Sequence, residues 1–161
     1  MSMRSSPILY FFYKAVLIIE GLLGRRHIEG AQMIILRGDE VMLIKTTYRP
    51  HWEFPGGAID KGESAEDAAI REAQEEAGIV VSKVVKKLGT YMGHAYMQQV
   101  TYHVFLAGGW MENNKWASGF EIAERQFFPL NALPLNISPG AKKRLEELAH
   151  VQDGEFSGDW V

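Results

Sequence analysis

No cysteine occurs in the 161 residues, which excludes disulfides and thiolate metal sites and suits a reducing compartment such as the cytoplasm. Strong charge of either sign is also missing. Lys and Arg number 17 against 20 Asp and Glu, a formal net charge of −3, so no general nucleic-acid binding is expected. Internal repeats and low-complexity tracts are absent, which excludes solenoids and fibrous arrays. A long uninterrupted apolar run is lacking as well. The nearest approach, Pro7 to Gly24, contains Lys14 and Glu20 and falls slightly short of the roughly 20 residues a spanning helix needs. Glu20 and the absence of a small-x-small site after it speak against a secretory signal.

What is present supports a single domain: 47 % hydrophobic and 23 % charged residues are ordinary for a chain that buries one core. The apolar N-terminal stretch reads as a helix, with Ile8, Phe11, Phe12, Ala15, Ile18, Ile19 and Leu22 on one face. We divide the chain into this element, 1–26, and a domain over 27–161. The helix is expected to pack on its own domain or on a second copy in a homodimer. Peripheral membrane attachment through residues 7–24 is the alternative.

After Gly30 the pattern changes to strands. "AQMIIL" and "VMLIKT" flank the short turn Arg37 to Glu40 and read as a hairpin. "HWEF" reads as a short strand stopped by Pro55-Gly56-Gly57, and "VVSKVVKKLGTY" and "QVTYHVFLAGGW" as two longer ones. Ser64 is placed as an N-cap with Asp67 three residues on, and Gly78 as the residue that ends the helix. "EIAERQFFPLNALP" reads as an irregular loop with a short strand at Gln126 to Pro129. Ser138-Pro139 opens a final helix, and the polar tail from Gln152 is expected to be loose. The class is α+β, a mixed sheet with helices packed on it.

The chemistry concentrates where the charge does. Between Glu63 and Glu76 stand six carboxylates and one arginine, although the chain as a whole is nearly balanced. On a helix, Ala69, Ala73, Ala77 and Ile70 gather on a packing side while Glu72, Glu75 and Glu76 gather on another. Arg71, four residues before Glu75, can pair with it. Oxygen-only clusters of this kind suit Mg²⁺ or Mn²⁺. The glycines before the helix let the backbone approach, so that the Gly57 carbonyl can join a metal shell and Glu63 can reach back toward the helix. Such an array favours metal-assisted attack of water on a phosphoanhydride. Spacing alone leaves a solvated acidic face as an equal alternative.

The spacing also carries a resemblance. Gly57, five residues, Glu63, seven residues, then Arg71-Glu72-Ala73-Gln74-Glu75-Glu76-Ala77-Gly78-Ile79 resembles the Nudix box, G-x5-E-x7-R-E-U-x-E-E-x-G-U, with Ala73 as the one soft departure at an aliphatic position. "WEFPGG" before it and "FFPLNALP" after it agree with the same family. The resemblance runs from about Gly30 to Ala149. It implies an α/β/α sandwich with a mixed sheet, to which the N-terminal apolar helix would be an addition. It also implies a Mg²⁺-dependent hydrolase that cleaves nucleoside diphosphates linked to another moiety. Glu75 and Glu76 would then be the principal metal ligands with the Gly57 carbonyl. Glu72 would be a ligand or the general base, Arg71 would orient the carboxylates, and Glu63 would support Arg71 or a second metal. Glu121, six residues before Phe127, is the candidate for a further glutamate from a later loop, ahead of Glu124. A non-catalytic nucleotide-binding module and a membrane-associated hydrolase are the competing readings. Among the aromatics and cations near strand ends, which include Tyr48, Trp52, Tyr91 and Trp116, Arg49 is the best phosphate contact because it precedes the turn leading to the Gly-Gly loop.

Overall fold

The computed structural model describes residues 27–95, 98–113, 116–150 and 156–159. The expected N-terminal helix over 1–26 therefore lies outside the described residues. Nine strands and two helices follow: β1 (His27–Ile34), β2 (Leu36–Arg37), β3 (Glu40–Thr46), β4 (Trp52–Glu53), β5 (Gly56–Ala58), α1 (Ala65–Ala77), β6 (Ile79–Ala95), β7 (Gln98–Glu112), β8 (Ile122–Pro129), α2 (Pro139–His150) and β9 (Phe156–Asp159).

The strands form two sheets where the sequence suggested one. A five-stranded mixed sheet has the order β5-β1-β7-β6-β9, with β1 parallel to β7. A four-stranded sheet joins β2, β3 and β4, with β8 antiparallel to β3. The expected hairpin splits at Ile35. Only Leu36 and Arg37 pair with β3 in its sheet, while β1 leaves to pair with β5 and β7. The split lets one apolar run serve both layers. On β3, Met42 and Ile44 enter one core while Val41 and Leu43 enter the other, and β1 divides Ala31 and Met33 from Ile34 in the same way.

Each core is closed by one helix. Ala68, Ala69, Ala73 and Ala77 of α1 are fully buried in the first, and these small side chains let the helix lie close to the strands. Ala141 and Leu145 of α2 close the second, with Trp52, Phe54 and Tyr91. The helix signals behave as read. Ser64 accepts the Asp67 N–H at 3.1 Å, and Ser138 accepts the Ala141 N–H at 3.2 Å. Gly78 ends α1 at φ 63°, where a side chain would strain the backbone and its Cβ would strike Trp116.

Two expectations are corrected. Strand β8 starts at Ile122, not Gln126, because Ile122 to Phe128 pair with β3 along their length. The tail does not run loose throughout, since Phe156–Asp159 adds to the sheet edge as β9, parallel to β6. Both strands form by pairing across long sequence separations, which local residue preference does not report.

Candidate active site

Strand β5 and the second half of α1 bring the acidic motif together. Arg71 is its hub. Its guanidinium holds Glu63 through two parallel bonds, Nε to Oε1 at 2.9 Å and Nη2 to Oε2 at 3.0 Å. Its Nη1 reaches Glu72 at 2.7 Å and Glu75 at 3.2 Å, and Nη2 also donates to the Ala58 carbonyl at 3.1 Å. The pairing lowers the Glu63 pKa, with help from the Asp60 N–H, and raises that of Arg71 further. Gly57 lies directly against Glu72, where any Cβ would overlap the carboxylate. A side chain at that position would therefore displace the Glu72 carboxylate.

Glu76 stands apart. It is 7 % exposed, and it accepts the Gly56 N–H at 2.7 Å. Burial pushes its carboxyl up to about 9 against that bond, and Glu72, Glu121 and Glu53 add to the rise. Glu72 is shifted upward too, because burial outweighs Arg71. One arginine thus serves three carboxylates, while two more face the same space.

That space is a cleft of about 290 Å³ lined by Glu72, Glu75, Glu76 and Glu121 on one side. Trp116, Ala117, Gly119, Phe120 and Ile122 complete it. Glu121 arrives from the segment before β8, far along the chain from the helix. The Thr47 N–H donates to its carbonyl at 2.8 Å, and the Tyr48 hydroxyl donates to its Oε1 at 3.2 Å. Arg125, from β8, donates to the Ala77 carbonyl at the end of α1 and lies 4.6 Å over the Trp116 ring. Glu124 instead meets Lys45 at 3.4 Å and does not line the cleft. Arg49 is not in the lining either. It meets Glu53 at 3.1 Å, and Glu53 in turn acts on Glu76.

Among the described residues, no group of three or more His, Asp or Glu side chains is arranged to hold a metal ion as it stands. Arg71 draws Glu63, Glu72 and Glu75 toward itself instead. The donor set nonetheless fits a hard divalent cation. It is oxygen only, and it includes a buried carboxylate held against two others, a state that a cation relieves. Two residues escaped the sequence reading. Glu53 and Phe120 carry no local signal, since only folding sets Glu53 near Glu76 and brings Phe120 to the cleft of the α1 carboxylates.

The description "NUDIX domain" fits residues 26–148, and the chain belongs to the Nudix family. It is a hydrolase of the class that acts on phosphoanhydride bonds, and the family generally uses divalent metal ions. A Bacillus subtilis (strain 168) protein with the provisional name 8-oxo-dGTP diphosphatase is 32 % identical over 120 residues, covering 74 % of this chain and 78 % of that protein. The ADP-ribose pyrophosphatase of Methanocaldococcus jannaschii is 30 % identical over 109 residues; the match takes in 63 % of this chain and 61 % of that protein, less than two thirds of its length. In fold, the MutT NUDIX hydrolase from Burkholderia pseudomallei superposes with a TM-score of 0.68 at 25 % identity, over 76 % of this chain and 98 % of that one.

Proposed function

We propose that this protein hydrolyses a nucleoside diphosphate linked to a second moiety, with Mg²⁺ or Mn²⁺ bound by the α1 carboxylates. The observation that carries the reading is the surplus of carboxylates around one cleft, with Glu76 buried among them. Glu75 and Glu76, with the Gly57 carbonyl, would hold the cation, with Glu72 as a further ligand. When bound, the cation neutralises phosphate oxygens and makes the phosphorus more open to attack. Arg71 keeps the carboxylates in register while Glu63 anchors it. Glu121 takes the proton as water attacks phosphorus, and the Tyr48 hydroxyl aims its carboxylate. The P–O bond to the leaving phosphate breaks, and two phosphorylated products separate. Arg49 exchanges Glu53 for a substrate phosphate. The named activities of the two relatives support nucleotide-type substrates.

The test is a panel of nucleoside diphosphate derivatives assayed with Mg²⁺, Mn²⁺ or chelator, with Glu75→Gln and Glu76→Gln as comparisons. Turnover by the wild type, lost in chelator and in both variants, supports the reading. Turnover that survives both substitutions refutes the site assignment. Nucleotide binding without turnover on a broad panel favours a non-catalytic binding module. Activity is further expected to rise as pH climbs above neutral, since the raised carboxyls of Glu76 and Glu72 must shed their protons to take a cation; a flat profile down to about pH 5 speaks against it.

A further inference from the structure

Phe120 is 89 % exposed, although it stands beside the carboxylates of the cleft. Single apolar residues on a surface are ordinary, and Leu135, in a turn outside the cleft lining, is one. Phe120 differs in two respects. First, its backbone is fixed. Its carbonyl accepts the Thr47 hydroxyl at 2.7 Å, the Thr47 N–H holds the Glu121 carbonyl, and the Gly119 N–H donates to Ile122 at 3.0 Å. The ring is therefore presented from a pinned position. Second, the space beside it is kept open by the small residues Ala117 and Gly119, with buried Ile122 below. The other aromatic of the cleft is already engaged. Trp116 packs on the end of α1 at Gly78 and lies under the Arg125 guanidinium.

We infer that Phe120 is the base-stacking residue of this hydrolase. It offers its ring face to the nucleobase of the substrate while the diphosphate lies against Glu72, Glu75 and Glu76. This rests on the proposed nucleotide hydrolysis and adds a specificity residue to it. The cleft has an acidic, cation-demanding side and an apolar, planar side, and a nucleoside diphosphate has the matching two halves. A flat apolar ring suits any base through its π-face and favours purines, which overlap it more.

The experiment compares wild type, Phe120→Ala, Phe120→Leu and Phe120→Tyr on a nucleoside diphosphate derivative and on 5-phosphoribosyl diphosphate, which has no base. The readout is the ratio of kcat/KM for the two. Phe120→Ala and Phe120→Leu are expected to lower that ratio by about 5- to 100-fold, mostly through KM, and Phe120→Tyr to restore it. An equal fall on both compounds overturns the inference, because Phe120 would then only shape the loop that carries Glu121. An unchanged ratio, with nucleotide turnover intact, overturns it and leaves the proposed function standing. If the wild type cleaves only the abasic compound, both fall.

Discussion

Each of the two described helices carries an arginine among carboxylates, and the two arrangements differ in their sums. On α2, Arg144 is fully buried, meets Glu147 at 2.9 Å and lies 3.7 Å from the Tyr91 ring centre, while the Tyr91 hydroxyl donates to Glu147 at 2.8 Å. One cation, one carboxylate and one phenol lock β6 to α2. On α1, Arg71 faces Glu63, Glu72 and Glu75, with Glu76 and Glu121 nearby. The first set is balanced and closed over, so it works as a clamp. The second has surplus negative charge at an open cleft, which a cation would offset under the proposed function. Identical residue types thus serve stability or chemistry according to charge balance and access to solvent.

The largest effect should come from breaking the surplus. Glu76→Gln keeps an oxygen for the Gly56 N–H but removes the buried charge, so activity with Mg²⁺ is expected to fall by roughly 10³-fold or more. The chelated protein should keep or gain thermal stability, which steady-state kinetics and calorimetry measure together. Breaking the balance should do the reverse. Arg144→Met leaves Glu147 without its cation and is expected to cost on the order of 3 kcal/mol in urea unfolding, with kcat little changed.

A third measurement separates the two regions by pH. The folded Glu76 carboxyl is raised to about 9 from an ordinary 4.5, so between those values the folded state binds more protons than the unfolded chain. Its contribution is full below about pH 4.5 and is lost as pH rises through about 9. In chelator, stability should therefore decline with rising pH over that window, and Glu76→Gln should flatten the decline. Equal slopes in the two proteins would mean that Glu76 is not the group responsible. The smallest effect belongs to the cap. Ser64→Ala removes the acceptor for the Asp67 N–H and should cost about 1 kcal/mol, with activity following only as far as the start of α1 frays. Thermal melts and Mg²⁺ titration of the same samples would show whether the two changes keep step.

Much of the acidic site was legible from the chain. The caps of both helices, the packing side of alanines and the grouping of Glu72, Glu75 and Glu76 follow from helical periodicity, which acts over a few residues. The link from Arg71 to Glu75 was also readable, being four residues apart. Its two bonds to Glu63, eight residues away, depend on the loop folding back onto the helix, which the spacing does not specify. The division of β1 from β2 at Ile35, the early start of β8 and the pairing of β9 were not legible. They depend on partners far along the chain, and sheet formation rewards the pairing rather than the segment.

The sequence by itself determined which residue types meet along α1, because helix geometry and capping are local. Only the tertiary structure decided how unlike those residues become. It buried Glu76 and left Glu75 exposed, although they are neighbours in sequence. It brought Glu121 to the cleft, with Tyr48 bonded to its carboxylate and Glu53 near enough to act on Glu76, and it set Phe120 at the rim. Burial and the proximity of like charges are properties of the packed chain, and they are what set Glu76 apart from the exposed acids beside it.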